Sequence, residues 1–247
     1  MAPDVRLCAD VTDLNARAAT VIAATISDAV RRHGRCRLAL TGGRTPRALY
    51  TLLASTYRDQ IPWAHVLVYW GDERYVPPDD ADSNYGMARE TLLNHVPCPA
   101  GNIHPMPTSF ASPDAAARDY ERTLREQFDT AWPQFDLLLL GLGAEGHTAS
   151  LFPGSPALDE TTRWVVAVQA PAAPPVRLTL TLPALVHAAS IHVLAAGAEK
   201  ATALHRALTD PPDPHTCPAS AIRSAEGTVT WWVDRAAASQ LTIATTP

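Results

Sequence analysis

The chain has 247 residues, 47% hydrophobic and 18% charged, which suits a sizeable buried core and excludes a disordered or fibrous chain. A formal net charge of −5 argues against nucleic acid or an anionic membrane as partner. Anionic small molecules stay open, because a few side chains set the local field.

In chain order, Leu14, Ala18, Val21, Ile22, Ile26 and Val30 recur at helical spacing over 12–33, and Gly34 stops the helix. The apolar run 37–41 predicts a buried strand, TGGRTP follows, and 47–57 predicts a helix. HVLVYW (65–70) predicts a second strand, ending in the polar loop GDERYVPPDDADSN (71–84). Ser83 or Asn84 is suited to cap a helix over about 85–95. Five prolines between Pro97 and Pro113 predict a loop, and 115–131 is amphipathic again. FDLLLL (135–140) is uniformly apolar, as in a strand covered on both faces. Strands over 164–168, 177–182, 191–195 and 229–233 and a helix from about Ala198 complete the pattern. Strands alternating with helices predict an α/β fold with a mostly parallel sheet. Core-type segments resume directly after the Pro-rich breaks at 171–175 and 211–214, so one domain over 1–247 is expected.

No run approaches the roughly 18 apolar residues of a membrane span. The opening MAPDVRLCADVTD, with its acids, does not read as a signal peptide. Cys8, Cys36, Cys98 and Cys217 show no C-x-x-C spacing, which indicates neither a zinc site nor a disulfide framework. Reduced thiols in a cytoplasmic enzyme are expected. The basic residues are 19 arginines and one lysine, Lys200. An ordinary surface position is the commoner explanation for a lone lysine; the other is a place that needs an ammonium rather than a guanidinium fork.

Three segments carry chemistry. In LALTGGRTPRALY a buried strand, Gly42, Gly43, Thr45, Pro46 and a helix follow in direct succession. The glycines permit a tight turn, Thr45 suits the N-cap, and Pro46 suits the first helical position. A helix N-terminus at a crevice is an anion site, although a plain strand-to-helix turn has the same composition. FDLLLLGLGAEGHTASLFPG contains G-x-G-x-x-G at Gly141, Gly143 and Gly146. A dinucleotide fold would need a long helix next, and Pro153, Gly154 and Pro156 forbid one. What remains is a glycine-rich loop bearing Glu145 and His147, with backbone N–H groups for a developing oxyanion and an imidazole able to take a proton from water. Asp72, Glu73 and Arg74 form either a solvated corner or an anion-clamping arginine held by flanking carboxylates.

Taken together, TGGRTP, GDERYVPPDDADSN, GLGAEGHTASLFPG and RLTLTLPAL followed by GAEKA resemble the 6-phosphogluconolactonase family, in the family's order and over most of the chain. The resemblance implies a three-layer α/β/α domain of the glucosamine-6-phosphate deaminase and ribose-5-phosphate isomerase type. It implies hydrolysis of 6-phosphoglucono-δ-lactone in the oxidative pentose phosphate pathway, with no cofactor or metal, on a small-molecule substrate, in a monomer or weak dimer. His147 would be the general base, oriented by Glu145 where the family usually has aspartate. Gly42, Gly43, Arg44 and Thr45 would cradle phosphate with Arg177 and Lys200. Loop N–H groups or Arg74 would stabilise the oxyanion. Two alternatives stand beside this. An amino-sugar-phosphate deaminase/isomerase would carry a glutamate where this chain has Phe152. A sugar-phosphate sensor would need a helix-turn-helix unit, for which residues 1–36 leave no room.

Overall fold

A computed structural model describes residues 3–242 of the chain. Nine strands and six α-helices follow in the order β1 (Asp4–Cys8), α1 (Val11–His33), β2 (Cys36–Leu40), α2 (Arg44–Ser55), β3 (Val66–Trp70), β4 (Asp72–Arg74), α3 (Asn84–Thr91), α4 (Pro113–Gln127), β5 (Leu137–Gly141), β6 (Val165–Gln169), β7 (Val176–Leu180), α5 (Leu182–Val186), β8 (Ser190–Ala195), α6 (Ala201–Thr209) and β9 (Thr228–Asp234). Six strands form one all-parallel sheet in the order β1-β9-β8-β5-β2-β3. Consecutive residues of β5 and β8 are buried, so both faces of the sheet are covered, as parallel strands require. This is the α/β architecture expected from the sequence.

Local chemistry sets the boundaries. Asp10 accepts from the N–H groups of Thr12 and Asp13 to open α1, and Gly34 closes it at φ 73°. Ser83 caps α3 by accepting from Gly86 N–H, and Ser112 opens α4. That helix ends at Gln127, short of the expected 131, where Phe128 turns extended to join the core.

The structure departs from the sequence reading at three further points. Residues 4–8 form β1, unread because a short, half-polar edge strand has little periodicity of its own. The segment expected as a strand over 177–182 ends at Leu180, because Thr181 and Pro183 begin α5. The loop expected over 71–84 contains β4, which joins β7 and β6 in a second, antiparallel sheet ordered β4-β7-β6.

Candidate active site

The strand order reverses beside β2. β3 continues on one side of it, and β5, the next strand of the same sheet, is added on the other. Loops leaving the carboxyl ends of such strands diverge and open a crevice. Here they are the turn after β2 and the glycine-rich loop after β5, and the chain leaving β8 brings in Glu199 and Lys200. The resulting cleft, of about 320 Å³, is lined by eight of the nine predicted site residues: Gly42, Gly43, Arg44, Thr45, Arg74, His147, Arg177 and Lys200. Glu145 stands behind His147 rather than in the cleft wall.

The phosphate-loop expectation needs one correction. Gly43, not Thr45, is the N-cap, at φ 111° and ψ 173°, a conformation in which only glycine is at ease. α2 therefore begins at Arg44, and Thr45 and Pro46 lie inside its first turn, where N–H groups have no helical partner. The Arg44 side chain is 98% exposed and reaches Glu199 at 3.7 Å, an exposed pair of little energetic weight. What Arg44 offers an anion is its place at the helix start.

β4 supplies a second wall. Asp72 pairs with Thr179, and Arg74 with Arg177, across the antiparallel ladder. The sequence leaves Arg74 between a solvated corner and an anion clamp held by flanking carboxylates; buried Asp72 and Glu73 rule out the solvated corner, and the Arg74 side chain, in the cleft wall, is held by a backbone carbonyl. Its Nη1 donates to the backbone carbonyl of Asp82 at 2.8 Å. The Glu73 carboxylate turns inward and accepts the N–H groups of Arg74, Asn84 and Tyr85, each at 2.7 Å. Burial pushes Glu73 up to about 7 against the pull of those donors. Arg177 is buried, with Nε donating to Pro174 O at 3.0 Å, and burial followed by the Arg74 charge lowers its pKa.

The glycine-rich loop shapes the third wall. Gly143 N–H donates to His147 O at 2.8 Å, and Thr148 Oγ1 donates to Gly141 O at 3.0 Å. A Cβ on Gly143 would lie 2.0 Å from His147 Nδ1, so this glycine is what admits the imidazole. His147 Nδ1 stands 2.8 Å from Glu145 Oε1. That hydrogen bond, aided by the charges of His147 and Lys200, holds Glu145 down to about 2 despite partial burial. The imidazole packs on Phe152 at 4.5 Å between ring centroids. Ala149, at φ 48°, turns the chain so that Ser150 Oγ donates to Asp72 Oδ2 at 2.7 Å. No helix follows Gly146. The chain runs on to a single 3₁₀ turn at Pro156–Asp159, so the dinucleotide fingerprint is rejected by structure as it was by sequence.

An imidazole backed by an ionised carboxylate shares this cleft with cationic side chains and a helix N-terminus. They equip it for a substrate with an anion at one end and a hydrolysable centre at the other. Residues 9–231 match the family described as glucosamine-6-phosphate isomerases/6-phosphogluconolactonase. The chain belongs to this family. Among its relatives are a 6-phosphogluconolactonase of Synechocystis, 41% identical over 244 residues and covering 98% of this chain and 99% of the relative, and one of Mycobacterium tuberculosis, 42% identical over 249 residues with the same coverage. The crystal structure of 6-phosphogluconolactonase from Leishmania guyanensis aligns with a TM-score of 0.88 at 29% identity, covering 98% of this chain and 100% of that one.

Within the glucosamine-6-phosphate isomerase/6-phosphogluconolactonase frame, the cleft also holds Asp72 and Asn84, both buried and neither assigned a substrate role from sequence. The sequence offers Asp72 as part of a solvated corner or as a carboxylate flanking Arg74, and Ser83 or Asn84 as a helix cap. Among the described residues, no group of three or more His, Cys, Asp or Glu is placed to hold a metal ion. No described helix is long and apolar enough to cross a membrane.

Proposed function

We propose that the chain hydrolyses 6-phospho-D-glucono-1,5-lactone to 6-phospho-D-gluconate in the oxidative pentose phosphate pathway, with His147 as general base. The observation that carries this is the 2.8 Å contact between His147 and an ionised Glu145, in the same cleft as the N-terminus of α2, Arg74, Arg177 and Lys200. An ionised Glu145 accepts from Nδ1–H, which leaves the Nε2 lone pair free to receive a proton.

The substrate phosphate docks at Gly42–Thr45 with Lys200 and Arg177, and its binding energy places C1 of the lactone near His147. His147 Nε2 takes a proton from water as the water oxygen bonds to C1. The carbonyl oxygen gains the negative charge and is stabilised by Arg74 or by N–H groups of the glycine loop. When the C1–ring-oxygen bond breaks, the imidazolium returns its proton to that oxygen. The product is the open-chain acid, and the enzyme regains neutral His147. General base catalysis supplies about 10²–10⁴-fold of the acceleration, and positioning with electrostatics the remainder. Phe152, which packs on the imidazole, cannot transfer protons, so the deaminase alternative lacks its glutamate.

The family match over 9–231 supports a single catalytic domain over 1–247. We take it to act in the cytoplasm on a small-molecule substrate, as a monomer or weak dimer. Acid release from freshly made 6-phosphogluconolactone, followed with and without the purified protein, tests the assignment. Release well above the spontaneous rate is expected, with no ammonia from glucosamine 6-phosphate; the reverse pattern would overturn it.

A further inference from the structure

Beneath the turn at Gly42 lies a buried side chain that the mechanism does not use. Asn84, the first residue of α3, is 2% exposed and reaches the cleft wall. It is held from two sides. Its backbone N–H donates to Glu73 Oε1, while the neighbouring Tyr85 N–H donates to Oε2, so one buried carboxylate ties the start of α3 to β4. Its Nδ2 donates to Asp72 O at 2.9 Å and lies 3.3 Å from Asp72 Oδ1. Pinned in this way, the carboxamide fills the space a side chain on Gly42 would need. A Cβ on Gly42 would stand 1.8 Å from Asn84 Oδ1 and 2.4 Å from Cγ. Gly42, unlike Gly43, is not among the glycines at positive φ. Its backbone conformation therefore does not demand glycine; the pressure of the carboxamide does.

We propose that Asn84, clamped by Glu73 and Asp72, is a positioning residue that fixes the turn at Gly42 against β4, a role that rests on the turn being the phosphate site. The turn and β4 belong to different sheets, and β4 carries Arg74. Asn84 is thus a brace that keeps the phosphate-holding part of the cleft at a constant distance from Arg74 and its partner Arg177. Its consequence is selective. A loose turn weakens recognition of a phosphorylated substrate more than that of a lactone without phosphate.

The test is a double-mutant cycle on Gly42→Ala and Asn84→Ala, reading kcat and KM for 6-phosphogluconolactone and for unphosphorylated gluconolactone, with thermal melts as a check on folding. Gly42→Ala is expected to raise KM for the phosphorylated lactone by about tenfold or more, and Asn84→Ala by less. The double variant should recover much of the Gly42→Ala loss, because the new methyl enters the space the carboxamide leaves; non-additivity of this size is typical of residues in contact. Hydrolysis of the unphosphorylated lactone should fall by a smaller factor than that of the phosphorylated one in each variant. Additive losses in the double variant would overturn the brace and leave the phosphate assignment standing. An unchanged KM in Gly42→Ala would remove phosphate from the turn and the brace with it. Should Asn84→Ala fail to fold, Asn84→Asp keeps the volume and turns an acceptor toward Asp72. It is expected to raise KM and to show no relief from Gly42→Ala; relief there would contradict the steric argument.

Discussion

Arg74 and Arg177 face each other directly across the β4–β7 ladder, two like charges where opposite charges would stabilise the pair. Arg177 is buried as well, and burial together with the Arg74 charge lowers its pKa. The charges of Asp72, Asp82 and Glu73 offset this only in part, and a bound anion would relieve the rest. Arg177→Met should therefore leave the melting temperature of the free protein unchanged or raised, and abolish most of the stabilisation that inorganic phosphate gives the wild type. Thermal melts with and without phosphate decide this. An equal phosphate shift in both proteins would take Arg177 out of the anion site.

Glu145 is held down to about 2, mainly by its hydrogen bond with His147, and so stands as the anion that orients the ring. Glu145→Gln keeps the size and removes that charge. kcat should fall, by less than the ~10²–10⁴-fold expected for loss of the base, with KM little changed. Steady-state kinetics of the two proteins check this, and an unchanged kcat would deny Glu145 its orienting role.

Gly143 admits the His147 ring because it has no side chain. Gly143→Ala should fold, since nothing requires a positive φ there, yet push the imidazole out of place. The expected result is a kcat close to that of His147→Ala with KM little changed. Near-normal turnover would show that the ring has freedom the structure does not suggest.

Glu73 carries a stability signature. Its carboxyl rises from 4.5 to about 7 on folding, mainly through burial, so the folded state binds the extra proton between those values. The stability it contributes is fully present below about 4.5 and is lost as pH rises through about 7. Urea unfolding of wild type and Glu73→Gln at pH 5 and pH 8 should show a wild-type advantage that shrinks toward pH 8. An advantage that grows with pH would mean that the backbone donors outweigh burial.

How much of this was legible in the sequence depended on the range of the physics involved. Gly34 and Ser83 act on atoms one to four residues away, so the ends they set could be read directly. FDLLLL announced a strand buried on both faces because parallel sheets demand uninterrupted apolar residues. The two glycine-bearing loops were visible for the same local reason. β4 was not, because Asp-Glu-Arg is a poor strand by composition. It becomes one only when Ser150, 78 residues away, satisfies Asp72, and the start of α3 satisfies Glu73. Asn84 was hidden likewise, since its contact with Gly42 exists only after the two sheets meet. Thr45 misled because its capping propensity is real, but Gly43 reaches a conformation that starts the helix sooner.

In the proposed reaction the His147 imidazole activates the attacking water. The most direct measurement is kcat of His147→Ala at saturating 6-phosphogluconolactone, corrected for spontaneous hydrolysis, in a protein whose melting temperature still rises with inorganic phosphate. A fall of about 10²–10⁴-fold with the phosphate shift intact is the predicted result. Turnover within a few-fold of wild type would contradict it.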